Sequence, residues 1–168
     1  MNKKINILRV ILIILLLMMF GTIFNFSNQN GEKSGSWSRE VTEKVTKNIN
    51  SIQQLEKSEK EKVLRKIEHC IRKLAHFSLY FIVGILTMSL MCTFDLKNVK
   101  RVFISLGIGA IYASTDEFHQ LFIPDRTASI VDILIDSSGV FVGILCVWCV
   151  VKIFLSVKKD VINEKHVE

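Results

Sequence analysis

Long apolar blocks alternate with short charged segments along the whole of this chain. The blocks cover about residues 10–26, 74–93, 102–123 and 130–155. At a helical rise of about 1.5 Å per residue, each can cross a hydrocarbon core of about 30 Å, the first with help from its flanks. Because lipid offers the backbone no hydrogen-bond partners, each block is expected to be helical. The pattern therefore predicts an all-α membrane protein with four transmembrane helices.

The first apolar block follows three basic residues, as both membrane anchors and cleaved signal peptides do. These residues are Lys3, Lys4 and Arg9. No small-x-small cleavage site follows the block, where the chain reads Gly21-Thr-Ile-Phe-Asn-Phe-Ser27. We therefore predict an uncleaved first transmembrane helix, with a signal peptide as the alternative.

The polar segment 27–72 shows the pattern of two amphipathic helices. Its beginning is loop-like, because Asn28-Gln-Asn-Gly31 and Ser34-Gly-Ser36 are turn-forming. Ser58-Glu-Lys-Glu61 has the pattern of a capping box, so the second helix is expected to start there and to run into the block at 74–93. The first helix is predicted from apolar residues at three- and four-residue spacing, namely Val41, Val45, Ile49, Ile52 and Leu55. Both helices have a composition that allows them to lie on the membrane surface.

Four spans would place both termini on the same side of the membrane. Lys and Arg are nearly equally numerous on the two sides, so the short segments next to the spans decide the orientation. Lys3, Lys4 and the basic turn at 95–101 favour cytoplasmic termini, whereas Arg72 and Lys73 favour the opposite. We predict a multi-pass protein of the bacterial cytoplasmic membrane with cytoplasmic termini. Its four parts are an N-terminal tail and first helix at 1–26, an external polar loop at 27–72, a three-helix membrane region at 73–155 and a cytoplasmic tail at 156–168.

The net charge of the chain is consistent with the predicted membrane architecture. The net charge is +6, while 49% of the residues are hydrophobic. In a soluble protein such a basic excess would suggest a nucleic-acid partner. Here the Lys and Arg residues flank apolar blocks, where they set membrane orientation and attract anionic lipid headgroups. Membrane lipid is therefore an expected partner, nucleic acid is not, and no oligomeric state is predicted.

Several ionisable residues interrupt the predicted third and fourth spans, where each costs about 2.5–3.5 kcal/mol near the membrane centre on insertion scales. Asp116 lies about seven residues before the turn at 124–129 and Asp136 about six residues after it, so their depths are nearly equal. His76 enters the second span from the same membrane face. The topology therefore gathers into one leaflet His76, Asp116, Glu117, His119, Gln120, Arg126, Asp132 and Asp136.

This polar cluster has two interpretations. It could be a set of structural salt bridges in which Arg72 and Arg126 neutralise the acids. It could instead be a ligand-binding or catalytic pocket, which we favour because ionisable groups inside a membrane usually serve a function. Gly139 and Gly143 continue the helical stripe of Asp136, and their G-x-x-x-G spacing predicts close helix packing.

Four motifs in this region form a specific combination. They are Phe26-Ser-Asn-Gln29 followed by spaced serines, Arg72-Lys-Leu-Ala-His-Phe77 with Tyr80, Asp116-Glu-Phe-His-Gln120, and Phe122-Ile-Pro-Asp-Arg126 leading to Asp132, Gly139 and Gly143.

Over roughly residues 20–150, these motifs resemble the VanZ-like family of membrane proteins. The resemblance implies a role in low-level resistance to the glycopeptide antibiotic teicoplanin, and it implies no defined molecular activity. The chain departs from the family pattern at three positions. Asp125 stands where a small residue usually precedes the arginine, Asp136 where an amide is common, and Leu79 where an acidic residue often precedes the tyrosine.

The predicted pocket suits an anionic ligand, because Arg in particular can hold phosphate in a bidentate manner. A phosphate- or glycan-bearing envelope component, such as a lipid-linked precursor, is the expected ligand. Its predicted binding residues are Arg72, Lys73, His76, Tyr80, Asp116, Glu117, Gln120, Arg126, Asp132 and Asp136.

The alternative is a membrane transferase or hydrolase acting on a lipid-linked envelope substrate. His76, Asp116 and Glu117 would then supply acid and base groups, because adjacent carboxyls in a low dielectric are not both easily ionised. Asp132 is a further catalytic candidate.

Two other hypotheses remain open. A metal ion could be held by His76, His119, Asp116 and Glu117. The chain has no H-x-x-x-H pattern or similar signature, so no metal and no cofactor is predicted. The segment 39–72 could instead dock another envelope protein, which would leave the polar cluster a structural role.

Overall fold

The computed structural model describes residues 3–29, 31–124, 126 and 128–164, and it contains six helices within them. No strand occurs in this part of the chain, so the all-α prediction is confirmed. The helices are α1 (Lys3–Ser27), α2 (Gly31–Thr46), α3 (Asn50–Gln53), α4 (Lys57–Cys92), α5 (Asn98–Gln120) and α6 (Ile130–Glu164). The predicted C-terminal tail therefore continues the last helix as far as Glu164, and its final residues 165–168 lie outside the described residues.

Within the described residues, three helices, not four, are long and apolar enough to cross a membrane. They are Lys3–Ser27, Lys57–Cys92 and the part of α6 from Ile130 to Val157. The block at 102–123, predicted to be the third of four spans, does fold as a helix, α5, but it is not among them. Its last turns contain Asp116, Glu117 and other polar residues, which lower its mean hydropathy. The prediction of four spans is corrected by this count.

The tightest packing joins α4 to α6, which run side by side in the same direction. Gly139 lies against the backbone of Phe77, and Gly143 lies against the backbone of Phe81 one turn further along both helices. A Cβ atom at Gly139 would stand only 2.5 Å from the carbonyl oxygen of Phe77. The two backbones therefore meet because glycine leaves them room, as the G-x-x-x-G spacing predicts.

Helix α1 packs along α5, also in the same direction. The Phe20 and Tyr112 rings stack at 3.9 Å, and the Tyr112 hydroxyl donates to the Phe20 carbonyl oxygen at 2.6 Å. At its other end, α1 meets the end of α4, where Arg9 Nε donates to Thr93 Oγ1 at 3.1 Å. The C-terminal ends of α1 and α5 thus lie beside the middle of α4 and the N-terminal end of α6. We call this side of the helix assembly the polar end.

Helix α4 runs without a break from Lys57 to Cys92. Its N-cap is Glu56, without a side-chain capping bond, so Ser58-Glu-Lys-Glu61 lies inside the first turns rather than capping the helix. The predicted second amphipathic helix is therefore the beginning of α4 itself. Because it continues a span directly, it extends away from the apolar part of α4, and the expected position on the membrane surface is not confirmed.

Helix α2 packs on the first half of α4 through hydroxyl-bearing residues. Ser38, Thr42 and Thr46 are buried, whereas Val45 of the predicted apolar face is 57% exposed. The Thr42 hydroxyl donates to the Ser38 carbonyl oxygen at 2.7 Å, and Thr46 makes the same bond one turn later at 2.8 Å. These bonds satisfy the hydroxyls within the helix, so the residues pack without loss of hydrogen bonds. The predicted apolar face of this helix is thus not the face that packs on α4, and the amphipathic helix is not confirmed. The loop predicted at 34–36 is part of α2.

Glu68 of α4 connects α2 to the polar end. It accepts a hydrogen bond from Ser38 Oγ at 3.2 Å and lies 3.9 Å from Arg39 Nε. Its other contact is Arg72, one turn further along α4, also at 3.9 Å. The carboxylate of Glu68 thus contacts both α2, through Ser38 and Arg39, and the cavity residue Arg72.

Candidate functional site

A cavity of about 110 Å³ opens at the polar end. Residues from α4, α5, α6 and the turn between α5 and α6 surround it. Eight of the ten residues predicted to bind a ligand line this cavity, and Tyr80 and Asp116 do not. The described residues that line it are His69, Arg72, Lys73, His76, Glu117, Gln120, Arg126, Asp132, Ile135 and Asp136. The constant rise of each helix places these residues at similar depth, and the rotation of each helix about its axis turns them toward the cavity.

His69 is a lining residue that the predicted binding set lacks. It lies seven residues before His76 on α4, which is close to two helical turns, so both side chains lie on one face. That seven-residue spacing could have predicted from the sequence that His69 lies on the same face as His76. Ile135 is the one apolar residue of the lining and carries no polar signal that would have selected it.

Asp136 is the most buried acid of the site. It is 1% exposed, and neither of its carboxylate oxygens has a hydrogen-bond partner among the described residues. The nearest basic atom is Nδ1 of His76, which lies 3.8 Å from Oδ2. That distance is too long for a hydrogen bond. The charge of this carboxylate is therefore poorly compensated.

Asp116 is not part of the described cavity lining, and it is 4% exposed. Its Oδ2 accepts a bond from Ser27 Oγ at 2.9 Å, which ties the end of α1 to α5. Its Oδ1 has no partner within the described part of the chain. Each of Asp116, Asp136 and His76 offers one potential ligand atom, and these three atoms lie within 4.8 Å of one another.

The other two acids of the cavity have partners. Asp132 Oδ1 forms an ion pair with Lys73 Nζ at 2.6 Å. Glu117 Oε2 accepts the backbone N–H of Ser129 at 3.0 Å, just before the start of α6. Ser129 Oγ in turn accepts the N–H of Val131, as an N-cap side chain does. These contacts hold the start of α6 against α4 and α5.

Two guanidinium groups face the cavity with unused donors. Arg126 donates to Gln120 Oε1 at 3.3 Å and to the Phe26 carbonyl oxygen at 3.2 Å, both neutral acceptors. Among the described residues, no carboxylate lies within 4.0 Å of it, and its Nε has no partner. The Nε of Arg72 is also unpartnered. Burial, and then the neighbouring charge of Arg72, lower the pKa of Arg126 from its ordinary value.

Some predicted polar residues lie elsewhere. The His119 ring stacks on Phe24 of α1 at 4.8 Å, outside the cavity lining. Tyr80 is fully buried one turn below His76, and its hydroxyl has no partner within the described chain. Ser78 and Ser114 donate to carbonyl oxygens of their own helices. Asp125, one of the three departures from the family pattern, lies outside the described residues.

A family model described as VanZ/LLP1 matches residues 12–154, which is most of the chain and includes the whole cavity. The chain belongs to the VanZ/LLP1 family. The resemblance read from the motifs is thereby confirmed. Comparison with curated proteins and with solved structures finds no match.

In this VanZ/LLP1 chain the site has two chemically different layers. The upper layer contains Arg72 and Arg126, whose free donors suit an anion. The lower layer contains His76, Asp116 and Asp136, whose free oxygens and imidazole suit a cation or a proton. Asp136, where the family resemblance favours an amide, adds a charge to the lower layer.

Proposed function

We propose that this VanZ/LLP1 protein is a bacterial envelope protein whose polar pocket binds the phosphate group of an envelope component. In this proposal, binding changes the outer envelope or masks antibiotic sites, and so contributes to resistance to glycopeptides of the teicoplanin type. The family match and the three membrane-span-like helices support a membrane protein of this kind. The ligand, the pocket's role and the resistance are the proposal.

The observation that carries the proposal is the state of Arg126. Among the described residues, its hydrogen bonds go to neutral oxygens of Gln120 and Phe26. Arg72 repels its charge, while Asp116 and Glu117 attract it without forming an ion pair. An anion between the two guanidinium groups would relieve that repulsion. Phosphate fits this arrangement, because its oxygens match the planar fork of Arg.

The cavity's size narrows the choice of ligand. Its volume of about 110 Å³ is well below the roughly 300 Å³ at which pockets for drug-sized molecules begin. A phosphate group is small enough to enter, whereas a glycopeptide antibiotic or a sugar chain is too large. Of the phosphate- or glycan-bearing components considered above, the phosphate is therefore the part proposed to enter, and any glycan would remain outside.

The proposal places the polar end outward and the chain termini in the cytoplasm. This orientation requires α5 to cross the membrane too, packed against the three candidate spans, although it is less apolar than they are. Arg9 contacts Thr93, so the start of α1 lies at the same end of the helices as the basic turn at 95–101. Basic residues near spans favour the cytoplasm. An alkaline-phosphatase fusion at this turn should be inactive, while a fusion in the segment 47–56 should be active. The reverse result would place the pocket in the cytoplasm.

A lipid-binding experiment tests the pocket. Purified protein in nanodiscs is titrated with phosphatidic acid, and with phosphatidylcholine as a probe whose phosphate is covered by choline. Arg126→Gln is expected to weaken phosphatidic acid binding by about tenfold or more, since one charge-assisted contact contributes about 1.5–3 kcal/mol. Arg126→Lys keeps the charge and should restore only part of the affinity, because Lys lacks the bidentate fork.

Arg101→Gln is the matched control. Arg101 donates to the Phe94 carbonyl oxygen at 3.0 Å, far from the cavity, so this variant should bind phosphatidic acid normally. Teicoplanin susceptibility of a bacterium expressing each variant should follow binding. If Arg126→Gln binds the lipid and protects cells as well as Arg101→Gln does, the proposal is wrong.

An enzyme acting on a lipid-linked envelope substrate is the second candidate. It is favoured by His76, which lies between two carboxyls that have unused oxygens and can therefore pass a proton. None of Ser78, Ser114 and Ser129 is hydrogen-bonded to a histidine, so the described residues offer no serine nucleophile of the usual kind. Purified protein incubated with lipid-linked precursors should release a new product if this candidate holds. Absence of product over a long time course would count against it.

A further inference from the structure

We propose that His76, Asp116 and Asp136 bind one divalent transition-metal ion of the Zn²⁺ or Mn²⁺ class beneath the phosphate pocket. This set differs from the metal ligands considered from the sequence. It contains Asp136 in place of Glu117 and His119, because Glu117 is bonded to Ser129 and His119 is stacked on Phe24. The inference does not rest on the proposed phosphate ligand.

The geometry needs only small adjustments. One atom from each residue lies within 4.8 Å of the other two, and His76 Nδ1 lies 3.8 Å from Asp136 Oδ2. Zinc bonds of about 2.0–2.2 Å place two ligand atoms on one ion about 3–3.5 Å apart. Rotations of side chains by about an ångström at the ligand atoms would close the site. The three residues belong to three different helices, so the ion would join α4, α5 and α6.

An independent observation points to a ligand at this place. Asp136 is 1% exposed and Asp116 is 4% exposed, yet three of their four carboxylate oxygens have no hydrogen-bond partner within the described residues. A buried carboxylate without a partner is strongly disfavoured. The remaining oxygen, Asp116 Oδ2, is held by Ser27, and that contact leaves Oδ1 for the ion. Hydrogen bonds of this type orient metal ligands in proteins.

Neither Lys73 nor Arg126 forms an ion pair with these two acids, although Arg126 attracts Asp116 from a greater distance. Lys73 is paired with Asp132 at 2.6 Å, and Arg126 contacts Gln120 and Phe26. In the described chain, His76 is the only basic side chain with a nitrogen within 4.0 Å of an Asp136 carboxylate oxygen. An ion with two positive charges would balance both carboxylates at once.

The donor set selects the kind of ion. One imidazole nitrogen with two carboxylate oxygens suits zinc, manganese or iron better than magnesium or calcium, which prefer oxygen ligands only. Three protein ligands would leave at least one coordination position free, as in catalytic zinc sites. Because His76 and Asp136 also line the cavity, that position would face the pocket.

The experiment uses the full chain, purified in detergent and stripped of metal with a chelator. ZnCl₂ or MnCl₂ is added without any lipid phosphate, and the bound metal is counted by elemental analysis after desalting. We expect one equivalent per chain and a rise in the unfolding temperature, since an ion that binds only the folded state stabilises it. Asp136→Asn and His76→Gln should each weaken binding by about tenfold or more.

His119→Gln is the matched control, because it removes a histidine next to the site without removing a proposed ligand. It should take up the ion like the unaltered chain. Asp136→Asn should unfold at a higher temperature than the unaltered protein without metal, because it removes an unpaired buried charge, and at a lower one with metal. This reversal distinguishes a lost ligand from a misfolded variant.

Three results would overturn the inference: no stoichiometric zinc or manganese in the unaltered chain, equal binding by Asp136→Asn, or equal affinity for magnesium. None of them bears on phosphatidic acid binding by Arg126, which is measured separately. Failure of the metal site and failure of the phosphate pocket are thus distinguishable.

Discussion

Gly139→Ala tests the close contact between α4 and α6 on which the pocket depends. The new Cβ would stand 2.5 Å from the Phe77 carbonyl oxygen, about 0.9 Å short of the 3.4 Å at which ordinary contacts begin. The opposing atom is backbone, so it cannot rotate away as a flexible side chain would. The two helices must separate, or the variant must store strain.

Overpacking of this kind costs about 1–3 kcal/mol, and occasionally more. That cost alone would lower the folded population relative to the unfolded one by a factor of about 5 to 150. Alanine is a better helix former than glycine by up to about 1 kcal/mol, and this gain offsets part of the cost. Where that gain is fully realised, we expect a net loss of up to about 2 kcal/mol in the free energy of unfolding. Because Gly139 lies less than one turn from Asp136, ligand binding should weaken as well.

Gly107→Ala is the matched control in α5. A Cβ at Gly107 would meet no atom within 4 Å, so the same chemical change should leave stability equal or slightly higher. Reversible unfolding in mixed detergent micelles measures both variants against the unaltered chain. If Gly139→Ala proves as stable as Gly107→Ala, the close approach of the two backbones is not as described.

Further predictions concern other contacts of the helices. Tyr112→Phe removes the bond to the Phe20 carbonyl oxygen and should cost about 1 kcal/mol, measured by the same unfolding assay. Thr42→Leu should loosen α2 by overpacking a buried position, at about 1–3 kcal/mol, whereas Val45→Ser at an exposed position should change stability by less than about 0.5 kcal/mol. Hydrogen exchange of the α2 amides would measure both variants, and the opposite ranking would contradict packing through the hydroxyl-bearing face.

The depth of the polar residues could be predicted because the rise of a helix is nearly constant. Counting residues from the turn at 124–129 was enough to place Asp132, Asp136 and Gln120 at one end. The rotation of each helix about its axis could not be predicted in the same way, because it depends on packing against neighbours. For this reason Asp116 is found outside the cavity lining, and the His119 ring packs against α1 rather than lining the cavity.

The face of α2 could not be predicted for a different physical reason. Apolar spacing identifies residues that avoid water, and it pointed to Val45 and Ile49. Threonine hydroxyls can bond to the carbonyl oxygen one turn earlier, so Thr42 and Thr46 are buried without an unpaired polar group. A hydrophobicity scale does not take account of these hydrogen bonds within the helix. The count of spans failed similarly, because the polar residues that build the site also make α5 less apolar.

The unbroken α4 has a mechanical consequence. A helix of 36 residues is about 54 Å long, and it carries both the docking surface of α2 and one wall of the cavity. Glu68 contacts Arg39 of α2 on one side and Arg72 of the cavity on the other. A displacement of α2 would therefore be expected to tilt α4 and so to move Arg72 and His76 in the cavity.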